Sequence, residues 1–411
     1  MKIQLDLPQG EHRQLKFDDR HRLRLADSAA GEFISAAVKL ANPAPVRVSW
    51  LAQWTAPQHW EKFAGNPIYT PALTGWNNWV NGVSIIPLPD GQTYRMYYAG
   101  HKGQGIGFAE AAVSEPTQWK DHGGPVLKPR GDNWEGDFIN QPRVVKVTDT
   151  HWRMYYTGWG FQGAGSPWAT GLAESFDGGR TWKRYQDDPI IERGPLGSAD
   201  DGAAMVPSLL RVGDRWLMWY TSVKVTTNNA QHIHLCLAES PDGIHWTKYE
   251  KNPVLTDPLA HEVPRSVISR PYVRHDDGVF RLWYSYGRPG YRIYYAESLD
   301  GCEWELSPVA PVLGPSPKPA WDDDIVEYPE VQIVNGEYRL WFCGNGFGSV
   351  GYATGKPETS VTLFVRTSAG ADWREITRDN QITPTSYLQI KAVLRSSNPK
   401  LSPALNSITI E

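Results

Sequence analysis

The chain has 411 residues, 41 basic against 45 acidic, a formal net charge of −4 and a mean hydropathy of −0.47. Its charges are evenly mixed with no basic stripe, which argues against a nucleic-acid partner. No run of eighteen apolar residues occurs, which argues against a membrane span.

The opening residues, MKIQLDLPQGEHRQLKF, contain no apolar core of a signal peptide. Three cysteines (Cys236, Cys302, Cys343) are too few for a disulfide framework. Free thiols and the missing signal lead us to expect a cytoplasmic protein. Residues 1–55 alternate like short strands (KIQLDL, HRLRLAD, FISAAVKLA, VRVSWLAQW), split by Gly, Asp and Pro. Residues 359–411 have the same character, and each segment alone is marginal for an independent core. The economical expectation is that the two ends pair into one small β-sandwich.

Between them, residues 56–358 repeat one phrase: a strand, an aromatic strand, a small-residue strand and a turn closed by Trp. The aromatic strands are RMYYAG, RMYYTG, LMWYTS, RLWYSY and RLWFCG, with landmark rings at Tyr97, Tyr155, Trp219, Trp283 and Trp341. The steps between these rings are 58, 64, 64 and 58 residues. The next strand recurs as GFAEA, GLAES, CLAES, YYAES and GYATG, and Trp119, Trp182, Trp246 and Trp304 close the turns. Short strands repeating at this period predict the blades of a β-propeller. We therefore expect an all-β protein: a five-bladed propeller at 56–358, inserted in a β-sandwich of 1–55 and 359–411. The fifth blade, 316–358, lacks the Trp turn, so a strand from near 56–70 is expected to close the ring and leave no open edge. Most of the 19 Trp and 19 Tyr should pack between blades. The remainder suit a cleft in which apolar sugar faces stack on rings.

In a propeller the innermost strands line a central funnel. The segments leading into them read WNNWVNGVSII, WEGDFINQPRVV, SADDGAAMVPSLL, HEVPRSVISRPYV and WDDDIVEYPEVQI. Asp137, Asp201, Glu262 and Asp324 each precede the strand's Pro by five to nine residues, and Asn77 stands there in the first. Clustered acids raise one another's pKa, and glycoside cleavage needs one protonated and one ionised carboxyl. An Asp before a strand also caps turns.

The repeated phrase resembles the five-bladed propeller glycosidases, the superfamily of arabinanases, fructosidases and β-xylosidases, over roughly residues 66–358. That resemblance implies two aspartates and a glutamate at the starts of the first three inner strands, as base or nucleophile, tuner and general acid. The positions just before the Pro, or before Gly82 in its place, read Asn81, Gln141, Val206, Arg270 and Tyr328. None is acidic, and Met205 stands where the family's glutamate is expected. The resemblance then implies that catalytic carboxyls sit at Asp137, Asp201, Glu262, Asp324 or Glu327, or that sugar is bound without cleavage. Asp137 is the expected base or nucleophile, and Glu262 or Glu327 the acid. Asn81, Asn140 and Gln141 suit hydroxyl recognition, and Trp79 and Tyr328 stand at the same mouth. Arg143 and Arg270 suit a carboxylate or phosphate on an acidic sugar, or pairing with the nearby acids.

SFDGGRTW (175–182), with looser copies SPDGIHW and SLDGCEW, matches the Asp-box, a hairpin turn on the outer side. The HIH run (232–234) places two His on one face of a strand, as a metal pair or simply a loop flank; no metal and no cofactor are expected. The expected function is glycosidase-like action on an oligo- or polysaccharide. The alternative is a carbohydrate-binding propeller without catalysis.

Overall fold

The computed structural model describes residues 2–40, 45–70, 75–100, 103–131, 134–160, 168–225, 231–257, 266–287, 290–346, 348–378, 381–382 and 386–411. Among them there is no α-helix, and no helix long and apolar enough to cross a membrane.

Five antiparallel meanders fill the middle of the sequence. Unit one pairs Asn81–Pro87, Thr93–Ala99, Ile106–Ala112 and Lys120–Asp121. Unit two pairs Ile139–Lys146, Trp152–Gly158, Ala169–Ser175 and Lys183–Arg184. Unit three uses Ala203–Val212, Arg215–Val225, Gln231–Ser240 and Thr247–Lys248. Unit four uses Ser266–Asp276, Val279–Gly287, Tyr291–Ser298 and Glu305–Leu306. A two-residue parallel ladder joins units three and four. Unit five runs Val326–Val334, Glu337–Gly344 and Ser349–Gly355, and its fourth strand is Glu61–Lys62, from the other side of the repeats.

The five landmark rings explain the repeat. Tyr97, Tyr155, Trp219, Trp283 and Trp341 are all fully buried. Burying one such ring removes about 150–250 Å² from water, a gross gain of roughly 4–6 kcal/mol before entropy is charged against it. Each ring also fixes a neighbour. The Tyr97 hydroxyl donates to the Gly179 carbonyl (2.6 Å), Tyr155 to Gly243 (2.7 Å) and the Trp219 indole to Gly301 (2.8 Å). Trp283 meets Trp60 edge-on, and the Trp341 indole donates to Pro116 of unit one at 3.3 Å. These contacts run from unit to unit and return to the first. The acceptors at Gly179, Gly243 and Gly301 lie in the turns that carry Asp177, Asp242 and Asp300. There Asp177 accepts the Arg180 and Thr181 amides and the Thr181 hydroxyl, and Asp242 and Asp300 repeat the amide pattern.

The two ends of the protein pair with each other. Val46–Gln53 lies beside Ala404–Ile410, and Ala30–Ile34 beside Tyr387–Ser396. The two resulting sheets share one apolar core that includes Leu23, Phe33, Leu363, Leu388, Leu394 and Ile408. Where this body meets unit four, Arg22 is buried against Asp18, Gln53 and Glu305.

Candidate active site at the axial funnel

Each inner strand breaks its ladder once, at the same place. The register skips at Gly82, Gln141, Val206, Arg270 and Tyr328. All five have left-handed backbones, with φ of 61°, 53°, 51°, 55° and 56°. Four are followed by Pro, which cannot donate to a ladder and is accommodated at a bulge. The fifth is followed by Val83. These residues and their followers line a narrow axial channel.

This register corrects the alignment drawn from sequence. Gly82 itself, not Asn81, is the equivalent of Gln141, Val206, Arg270 and Tyr328. One layer out, the ring reads Asn81, Asn140, Met205, Ser269 and Glu327. One of its five members is therefore a carboxylic acid.

The bulged amides are each accounted for. Val206, Arg270 and Tyr328 donate to Thr157, Thr221 and Ser285, which occupy one equivalent position in the preceding unit's second strand. Ala99 stands at that position in unit one, and the Gln141 amide turns instead to the Asn140 side-chain oxygen at 2.7 Å. Cys343 holds the position in unit five, its thiol against the Gly82 and Val83 amides and its pKa pushed up to about 12 by burial. Across the axis, the Gln141 amide nitrogen donates to the Tyr328 hydroxyl at 2.6 Å.

The two mouths of the channel differ. One, a cavity of about 390 Å³, contains Arg143 and Glu330. These two form a 2.5 Å ion pair, and burial raises Glu330 to about 7 against the pull of Arg143. Arg143 thus lies at this mouth, away from Arg270. The other mouth, about 520 Å³, is lined by Gln141, Trp159, Trp168, Arg193, Asp201, Met205, Ser269, Arg270 and Tyr291. Trp159 and Trp168 stack there, 4.7 Å apart and 11° from parallel. Arg270 is held between the Tyr291 and Tyr328 rings, 4.1 and 4.6 Å from their centres. Its Nε lies 2.9 Å from Glu327, and its Nη1 donates to the Ser269 hydroxyl at 2.7 Å. Glu327 is almost fully buried. Burial raises its pKa to about 7, with Arg270 pulling the other way.

The acids forecast from sequence have separate fates. Asp137 is exposed and lines an adjoining cleft of about 670 Å³ with Trp79, Gln104, Lys128, Phe138 and Trp159. Asp201 is buried, and its two oxygens accept the Gly197 and Val225 amides at 2.9 and 2.8 Å. Asp324 is exposed, with its own amide bound to Asn345. Glu262 lies outside the described residues. Asn81 is buried, and neither atom of its amide group has a hydrogen-bond partner among the described residues; nor does the Gln141 side-chain oxygen.

Three lead-in acids passed over in sequence are buried and paired with the outermost strands. Glu135 binds Arg184, Asp200 binds Lys248 and Asp322 binds Lys62, each at 2.5 Å. They tie each lead-in loop to the far edge of its unit. Trp159, Trp168 and Arg193 were missed because they stand on connecting segments that do not repeat, and Tyr291 because it opens the third strand of unit four ahead of the part that repeats.

No protein-family model matches the sequence. Two curated relatives, the uncharacterized proteins Rv1502 and MT1551 of two Mycobacterium tuberculosis strains, are each 29% identical over 294 residues, 68% of this protein and 94% of theirs. Among solved structures, one described as a glycoside hydrolase aligns with a TM-score of 0.59 at 17% identity, covering 74% of this protein and 93% of that one. A thermostable family-43 glycoside hydrolase aligns at 0.55 and 16%, covering 75% and 96%. The fold is that of the propeller glycoside hydrolases. A structure from the GH130 family of mannoside phosphorylases, described as containing glycoside hydrolases that target β-1,2 mannosidic linkages, gives the same values as the family-43 enzyme.

Proposed function

We propose that residues 56–358 form a five-bladed propeller, inserted in a β-sandwich of residues 1–55 and 359–411. We further propose that the protein acts on a glycosidic bond of an oligo- or polysaccharide in the larger mouth of the funnel. Five bulged strands around one channel support the blade count, and a shared apolar core supports the sandwich.

One observation carries the functional reading: Trp159 lines both the cleft of Asp137 and the mouth of Arg270. An exposed carboxylate, Asp137, and the guanidinium of Arg270, with Glu327 buried behind it, thus lie on either side of one aromatic face. Glu327, raised to about 7, is partly protonated at neutral pH and suits the general acid. Asp137 suits the base or nucleophile. Asn81, Asn140, Gln141, Tyr328 and Trp79 then contact hydroxyls and ring faces, and Asp324 serves as a rim ligand. Glu262 keeps its place as the alternative acid. Asp201, with both oxygens on backbone amides, shapes the lead-in turn.

A second reading, sugar binding without cleavage, is favoured by the ties on Asp201 and Glu327. A hydrolysis screen on aryl glycosides and oligosaccharides, with Asp137→Asn and Glu327→Gln in parallel, separates the two. Turnover lost in both variants supports catalysis by these carboxyls. Turnover that survives both removes the residue assignment. Sugar-dependent thermal stabilisation without turnover supports the binding reading.

A further inference from the structure

The larger mouth has a charge that the rest of the protein does not predict. The whole molecule carries a net −4, yet among the described residues the lining of this mouth holds two guanidiniums, Arg193 and Arg270, and one carboxylate, Asp201. The oxygens of Asp201 are both occupied by backbone amides, so its charge is partly spent on the loop that carries it. Arg193 is exposed at the rim. Arg270 is fixed deeper, clamped between two tyrosine rings, with 16% of its side chain exposed.

A guanidinium has five N–H donors in a planar fork. Glu327 lies against Nε, and Ser269 accepts from Nη1. The Arg270 side chain lines the mouth and keeps 16% of its surface exposed. Gln141 lines the same mouth, and its side-chain oxygen is buried without a hydrogen-bond partner among the described residues. The stacked Trp159–Trp168 pair supplies an apolar wall to the same cavity. A fixed cation, an unfilled acceptor and an aromatic wall are complementary to a pyranose ring that carries both a hydroxyl and an anionic group.

We infer that this mouth selects a sugar bearing a carboxylate, a uronic acid, and that Arg270 reads that carboxylate while Arg193 reinforces it from the rim. The inference rests on the carbohydrate reading above and deepens it. A planar carboxylate matches the guanidinium fork in a bidentate pair. Inorganic phosphate has no ring face to set against the stacked Trp159–Trp168 pair and so gains only part of these contacts.

The test uses the full-length protein and four probes: an aryl glucuronide, the matching aryl glucoside, the methyl ester of the glucuronide and inorganic phosphate. Thermal shift and calorimetry read the binding. The glucuronide should bind at least tenfold tighter than the glucoside or the ester, and phosphate should bind weakly or not at all. Arg270→Gln should abolish that preference. Arg193→Gln, an exposed change that leaves the core intact, should reduce it several-fold and keeps the test decisive if Arg270→Gln does not fold. Equal binding of glucuronide and glucoside overturns the inference while leaving the carbohydrate reading standing. Binding of phosphate alone, or a preference that survives both substitutions, also overturns it. If neither the acidic nor the neutral glycosides bind, the carbohydrate reading falls with it.

Discussion

Glu327→Gln tests the balance of forces at the funnel floor. The carboxyl is held at about 7 instead of its ordinary 4.5, because burial outweighs the attraction of Arg270. That rise corresponds to roughly 3 kcal/mol of preference for the protonated form. The folded pKa lies above the unfolded one, so the associated stability is fully present below pH 4.5 and is lost as pH rises through 7. Gln imitates the protonated carboxyl at every pH. The variant should match the wild type near pH 4.5 and exceed it by roughly 3 kcal/mol at pH 8.5. Urea unfolding followed by tryptophan fluorescence at the two pH values measures the difference. The usual expectation for removing one member of a buried pair is the opposite, a loss of about 3–5 kcal/mol. A Gln variant less stable than the wild type at pH 8.5 would show that Arg270 outweighs burial, and the argument for a protonated Glu327 near neutrality would fail.

Asp201→Asn keeps one acceptor but turns an amide group toward a second backbone N–H, at Gly197 or Val225. It should cost about 1–3 kcal/mol in urea unfolding and leave the pH profile of any turnover in place; a shifted profile would instead make Asp201 a tuner of the chemistry. Lys62→Met strands the fully buried Asp322 and should cost about 3–5 kcal/mol. Limited proteolysis should then cut near residues 56–70, where the strand that completes unit five lies, and unchanged resistance would count against that strand as the ring's closure. Gly82→Ala places a Cβ 2.8 Å from the Gln141 backbone at a φ of 61°. A loss of at least about 1–3 kcal/mol is expected, and a neutral result would mean that the channel yields without strain.

The sequence and the structure agree where the physics repeats. The five buried landmark rings pack between units, so each unit must supply one at the same place, and the spacing of Tyr97 to Trp341 shows it directly. The turns at Asp177, Asp242 and Asp300 are legible for the same reason: their carbonyls receive the hydrogen bonds of those rings. The floor of the funnel is legible only in part. Four bulges announce themselves by a Pro, but unit one has Gly82–Val83, and a reader matching residue types places Gly82 against the prolines. The left-handed backbone shows that Gly82 matches the residues before them. That one-residue shift places Asn81 in a ring with Glu327 and brings one acid into a layer that otherwise reads as amides, a hydroxyl and a thioether.

The lead-in acids are legible only in part for a different reason. Glu135, Asp200 and Asp322 find their cations 49, 48 and 260 residues away, on outermost strands. A sequence places these acids at a mouth but cannot say which of two adjacent carboxylates turns outward to a strand and which remains beside the cleft. In unit two the answer divides Glu135 from Asp137, and in unit three it leaves Asp200 paired and Asp201 on backbone amides. With the paired acids and Asp201 tied to cations or backbone amides, Asp137 is left lining the Trp159 cleft, and Glu327 lies buried behind Arg270. One is exposed to water, and the other is buried against a guanidinium. Burial raises Glu327 to about 7 on one side of that aromatic wall while Asp137 stands exposed on the other, and the proposed division into general acid and base or nucleophile rests on that difference of environment.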